Sequence, residues 1–130
     1  MIGLDTTALI DMYKNDEKLI QALQSLNQEL FLNDLTYLEL LAGLNPQNKQ
    51  HQKEEAFYDK HYAQIKSFSF TKQAAKQARN ILWELKKKGK TISVMDATII
   101  AIYQDNNVHT ILTRNKKDFS DIPQIKVLTY

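Results

Sequence analysis

The chain has 130 residues, 43% hydrophobic and 25% charged, with 17 basic against 15 acidic side chains and a net charge of +2. That length suits one domain, residues 1–130, with a core of its own, and a charge this mild names no partner. The absence of cysteine excludes a disulfide framework and a thiolate metal site, and fits a reducing cytoplasm. No basic stretch followed by an apolar run marks a signal peptide, and no apolar run approaches the roughly 18 residues that a membrane helix needs.

In chain order, Ile2 to Leu4 read as a very short strand and Thr6 to Tyr13 as a helix with Ala8, Leu9, Met12 and Tyr13 near one face. Asp16 can cap a second helix, roughly Glu17 to Asn27, with Leu19, Ile20, Leu23 and Leu26 on one side. Leu30 to Asn33 form a second strand. Leu35 to Ala42 follow as a helix that Asp34 can cap and Gly43 can end. Asn45-Pro46 marks a turn and a helix start. The polar stretch from Gln47 to about Ala63 reads as an exposed helix or a hairpin of helices.

Ile65 to Phe68 is a third candidate strand. Thr71 opens the most regular helix, with Ala74, Ala75, Ala78, Ile81, Leu82 and Leu85 at helical spacing through Lys88, and Gly89 ends it. Ser93 can cap a helix from about Val94 to Asn106. Val108 to Leu112 and Lys126 to Leu128 are the last two strands. Strands separated by helices predict an α/β fold in three layers around a parallel sheet.

In such a sheet, ligands bind beyond the carboxyl ends of the strands. Four acidic residues fall at those ends or in the helices that follow: Asp5, Glu39, Asp96 and Asp118. Each taken singly has a structural reading. Asp5 is a favoured helix cap. Thr36-x-x-Glu39 and Ser93-x-x-Asp96 both match a capping box. Asp118 can cap a short helical turn. Convergence of all four has a different meaning, because like charges brought together repel unless a cation lies among them. Oxygen ligands alone suit Mg²⁺ or Mn²⁺.

Four segments in order carry a family resemblance: Asp5-Thr-Thr-Ala-Leu-Ile, Thr36-x-x-Glu39-Leu-x-x-Gly43, Asp96-Ala-x-Ile-Ile-Ala and Leu-Thr113-Arg-Asn115-x-x-Asp118-Phe119. Together they resemble a PIN domain, and within it the VapC-like toxins of type II toxin–antitoxin systems. The resemblance spans the whole chain. It implies a PIN-like parallel sheet of order 3-2-1-4-5 and a rim site where Asp5, Glu39, Asp96 and Asp118 bind Mg²⁺ or Mn²⁺ and serve as catalytic residues. It also implies metal-dependent hydrolysis of RNA by an activated water, supporting roles for Thr113 and Asn115, a small cognate antitoxin and a homodimer. The chain departs from the pattern in two places. Thr7 stands where the family often has Asn, and Ile92-Ser-Val-Met95 lacks a frequent proline.

Arg114, Lys116 and Lys117 flank the site and are the candidate RNA-phosphate contacts. Lys86, Lys87, Lys88 and Lys90 read instead as cations at a helix end. Asp11 and Asp34 read as bystanders, and Trp83 as core or subunit interface. Leu19, Leu23 and Leu41 are candidate partner-contact residues. No His-Glu-x-x-His spacing supports a zinc hydrolase, and Thr7 breaks the Asp-x-Asp of a haloacid-dehalogenase-like phosphatase. The alternative is a catalytically inactive PIN-like module whose acidic rim docks a basic partner segment.

Overall fold

The computed structural model describes residues 1–130. Five parallel strands lie in the order β3-β2-β1-β4-β5: β1 (Ile2–Leu4), β2 (Leu30–Asn33), β3 (Ser67–Phe68), β4 (Thr110–Leu112) and β5 (Lys126–Leu128). Seven helices connect them: α1 (Thr6–Tyr13), α2 (Glu17–Leu26), α3 (Asp34–Ala42), α4 (Lys49–Gln64), α5 (Lys72–Lys87), α6 (Val94–Asp105) and α7 (Lys116–Phe119). The predicted α/β class and strand order are both present.

Alternation along the strands divides the core between the two sheet faces. Ile2, Leu4, Leu32 and Leu112 join Ala8, Leu9, Leu19, Leu40 and Tyr58 from α1 to α4. Ile111 packs with α5 and α6 on the other face, where Phe31 meets Ile99, Tyr103 and Val108. Helix α5 buries Ala74, Ala78, Ile81 and Leu85 and leaves its other flank in solvent. Helix α6 is different: Ala97 to Tyr103 are all buried, as expected of a helix apolar around its circumference. Burying each large aliphatic side chain contributes about 1.5–3 kcal/mol.

The closest backbone approach lies under β1. A Cβ on Gly3 would sit 2.7 Å from the ring of Tyr103. The Tyr103 hydroxyl donates to the carbonyls of Leu4 and Phe31, tying α6 to the two strands that precede Asp5 and Asn33.

Several local expectations change. Asn33, not Asp34, caps α3: its side chain accepts from the Thr36 N–H at 2.8 Å, and its amide donates to the Thr36 hydroxyl at 3.0 Å. The Thr36-x-x-Glu39 capping box is therefore absent, and Glu39 lies beyond the first turn. The polar stretch is one helix, α4, capped by Asn48 three residues past Asn45. It is not merely exposed, because Tyr58 is fully buried. Asp118 lies inside α7 rather than capping it. Leu19 is 0% exposed, which removes it from the candidate contact surface, and Trp83 is 57% exposed, which removes it from the core. No helix is long and apolar enough to cross a membrane.

Gly3→Ala should lower the unfolding free energy by about 1–3 kcal/mol, the usual cost of overpacking a filled interior. Urea unfolding of the two proteins measures this, and equal midpoints would show that Tyr103 yields without cost.

Candidate functional site

Parallel strands bring their carboxyl ends to one rim, so the residues after β1, β2 and β4 become neighbours. Asp5 ends β1 and caps α1. Its Oδ1 accepts from the Ala8 N–H at 3.0 Å and from the Thr7 hydroxyl at 2.8 Å. Its Oδ2 accepts from the Thr113 hydroxyl at 2.6 Å, supplied by the residue after β4. Thr113 in turn accepts from the Asn115 N–H at 3.0 Å, and Thr7 from the Arg114 N–H at 3.2 Å. These bonds together lock the Asp5 carboxylate to the β4–α7 connection.

Glu39 accepts from the Thr6 hydroxyl at 2.5 Å, which draws α3 toward the start of α1. Asp96 is in the first turn of α6, whose N-cap Ser93 accepts from the Asp96 N–H at 3.0 Å. The capping expectation for Ser93 is met, and Asp96 lines the rim cavity. Asp118 comes from α7. Asp5, Glu39, Asp96 and Asp118 line one open cavity of about 240 Å³, together with Thr6, Thr7 and Asn115. The four carboxylates belong to separate elements of the chain, and the fold gathers all of them at one cavity.

The electrostatics reflect burial first and neighbouring charge second. Burial pushes the Asp5 carboxyl above the ordinary carboxylate value; the contacts with Thr113, Ala8 and Thr7 oppose this, and the charge of Asp96 adds to it. Burial also raises Asp96, with Ser93 opposing and the charges of Glu39 and Asp118 adding to the rise.

The donor set is oxygen only. No three His, Asp or Glu side chains stand close enough to form a preassembled cage. Mg²⁺ does not require one: it keeps several waters and takes one or two carboxylates directly. An open cavity lined by four spaced carboxylates, two of them with raised pKa, fits an ion of that kind.

Beside the cavity lies a network that the sequence reading missed. Asp11, read as a bystander, is buried. It accepts from Arg114 Nη1 at 2.9 Å and from the Tyr130 hydroxyl. Burial and the Asp11 carboxylate push the Tyr130 hydroxyl strongly up, so it remains a donor. The available signal was the position of Asp11, three residues after Ala8 on the inward side of α1, where a carboxylate requires partners. Arg114 is therefore partly committed, with half of its side chain exposed. Lys116 and Lys117 are exposed and have no ion-pair partner. Thr6 and Thr7 were also missed as site residues. Thr7, counted as a departure from the family pattern, supplies a hydroxyl to Asp5.

An acidic, oxygen-lined centre on the carboxyl rim of a five-stranded parallel sheet defines the class of this molecule. The PIN domain family matches residues 2–125, and the chain belongs to that family. Its fold is similar to that of solved VapC-type complexes. The VapBC2 complex of Rickettsia felis, bound to a DNA fragment from its promoter, aligns over 100% of this chain and 99% of that one, with a TM-score of 0.83 and 22% identity. VapBC-1 of nontypeable Haemophilus influenzae aligns over 99% and 98%, with a TM-score of 0.80 and 26% identity. Mycobacterium tuberculosis VapC20, described as a sarcin–ricin loop cleaving toxin, aligns over 96% and 98%, with a TM-score of 0.71 and 13% identity. A comparison with curated protein sequences finds no match.

The raised carboxyl pKa values give a signed expectation for the metal-free protein. A carboxyl raised on folding contributes its full stability below its unfolded value, near 3.8, and loses it as pH rises through the folded value. Asp96→Asn cannot titrate. In EDTA, its melting temperature should therefore gain on the wild type as pH rises from about 4 to neutrality. Melting curves that stay parallel across that range would remove Asp96 from the strained set.

Proposed function

We propose that this protein is a metal-dependent endoribonuclease that acts as the toxin of a toxin–antitoxin pair. The observation that carries the reading is the convergence of Asp5, Glu39, Asp96 and Asp118 on one rim cavity. Membership of the PIN family and likeness to VapC-type complexes support it, and so does the sarcin–ricin loop cleavage stated for VapC20.

These four carboxylates would hold Mg²⁺ or Mn²⁺. When bound, such an ion offsets charge developing on phosphate oxygens and lowers the pKa of a water nucleophile. The protein contributes preorganisation. Asp5 is fixed through both oxygens by Thr7, Thr113 and the Ala8 N–H, so no reorientation is required when substrate arrives. Glu39 is steered by Thr6 and keeps its second oxygen for a ligand. Asn115, whose N–H holds the Thr113 hydroxyl, lines the same cavity. Water rather than the 2′-OH attacks, so the products carry a 5′-phosphate and a 3′-OH.

Lys116 and Lys117, joined by the exposed part of Arg114, hold the RNA backbone. Residues 1–130 act as one domain, a small cognate antitoxin restrains the enzyme in the cytoplasm, and the toxin pairs as a homodimer. Leu38 beside Glu39 and Val94 just before Asp96 are more than half exposed and offer apolar contact for such a partner. Leu23 and Leu41, partly buried, are left for the same surfaces.

Asp96→Asn should reduce cleavage of a cellular RNA pool by at least about 100-fold, the scale of removing one preorganised electrostatic group. EDTA should abolish cleavage, and Mg²⁺ or Mn²⁺ should restore it. Cleavage that survives either treatment would falsify the metal mechanism. Intact RNA under every condition, with antitoxin absent, would leave the inactive binding module as the reading.

Replacing Lys116 and Lys117 with Ala should weaken RNA binding for all sequences alike. The slope of log affinity against log salt should fall by about 0.7 for each phosphate that is no longer neutralised. A slope equal to that of the wild type would place the RNA backbone elsewhere.

A further inference from the structure

A second hollow adjoins the acidic cavity, and the proposed chemistry does not use it. Its volume is about 450 Å³, within the roughly 300–1,000 Å³ range of sites that enclose a small organic ligand. Ile92, partly exposed, is its main apolar surface, with Leu85 and Ile122 almost buried beneath, and Lys90, Thr91, Ser93, Lys117 and Asp121 give it a polar wall. It shares Asp96 and Asp118 with the acidic cavity. A third hollow of about 460 Å³, lined by Arg114, Asn115, Lys116, Lys117 and Asp118, adjoins both. The three hollows meet at Asp118.

The wall that carries Lys90 is fixed by local geometry. Helix α5 ends in a Schellman turn: Gly89 takes φ +72°, its N–H bonds the Lys86 carbonyl at 3.0 Å, and the Lys90 N–H bonds the Leu85 carbonyl at 2.9 Å. Lys90 is thereby carried past the helix end instead of lying along its last turn. Its Nζ meets Asp121 Oδ1 at 2.7 Å, bridging the α5–α6 loop to the turn after α7. The helix-end reading of the lysines therefore fails for Lys90, which stands on the rim of the hollow.

We propose that this hollow is a nucleotide subsite, holding the base and sugar of the residue next to the scissile phosphate and selecting among bases. The exposed part of Ile92 suits the face of a base, hydroxyl and ammonium groups suit its edge, and a single strand spans several such sites in series. The carboxylates at the shared end then face the phosphate to be cut. The inference rests on the nuclease reading for its ligand, and the test separates the two.

The test uses the full chain and short fluorescent RNA oligomers of each base, with binding followed by anisotropy in EDTA. Thr91 is exposed in the α5–α6 loop, so Thr91→Trp fills the hollow without entering the core. It should weaken binding of the preferred oligomer by about tenfold, the scale of excluding one base from its platform, and flatten the ranking among bases. Lys90→Ala should also weaken binding and narrow the ranking among bases, with the melting temperature measured beside each affinity. Affinity and ranking like those of the wild type in Thr91→Trp would overturn the subsite. So would unchanged RNA binding together with weaker binding of a co-expressed antitoxin, which would assign the hollow to that partner. Flattened ranking in a protein that cleaves no RNA with Mg²⁺ or Mn²⁺ would support the subsite while removing the nuclease reading.

Discussion

The carboxylate of Asp5 is buried at the end of the central strand and held by two hydroxyls and one backbone N–H. Strand β1 is where the order reverses, with β2 on one side and β4 on the other. The contacts of Asp5 therefore join both halves of the sheet. Ala8 belongs to the helix that leaves β1, and Thr113 to the connection that leaves β4. Burying this charge has an energetic cost, visible as a raised pKa. The fold tolerates the cost because those donors satisfy the carboxylate and the rest of the sheet is well filled. A cation among Asp5, Glu39, Asp96 and Asp118 would relieve what remains.

The underside of that strand explains why α6 has its composition. Gly3 carries no side chain, so Tyr103 can lie against β1 and hydrogen-bond the carbonyls of two strands. Packing Tyr103 there seats α6 under the sheet, buried from Ala97 to Tyr103. The N-terminus of the same helix then emerges at the rim, and Asp96 with it. A packing contact beneath Asp5 thus helps to set where a second carboxylate, Asp96, stands.

The β4–α7 connection is fastened twice. Thr113 binds Asp5, and Arg114 reaches back to Asp11, which also holds Tyr130 beyond β5. Only the Asp11 side of this pair is buried, and the Arg114 guanidinium and Tyr130 hydroxyl together satisfy that carboxylate. Here the segment that is pinned carries Asn115, Lys116, Lys117 and Asp118, so the cationic stretch and the last carboxylate take their places together.

Much of the fold was legible in the chain because its signals are local. Short apolar runs set β1 and β2 at their observed bounds, and the 3–4 spacing of Ala74, Ala78, Ile81 and Leu85 defined α5 with its Thr71 cap and Gly89 stop. The four carboxylates could be named because each follows such an element, and a parallel sheet sends those places to one rim. What tertiary structure alone decided are pairings between distant residues. Asn33 outcompeted Asp34 as the α3 cap, since the strand end points its amide at Thr36. Tyr58 lies in a polar stretch and Trp83 among apolar neighbours, yet packing buries Tyr58 and leaves Trp83 in solvent. Asp11 with Arg114, and Lys90 with Asp121, are 103 and 31 residues apart in sequence. Spacing along a chain encodes which face of a helix or strand a residue occupies. It does not encode which side chains of separate elements will meet, because that depends on how the elements pack.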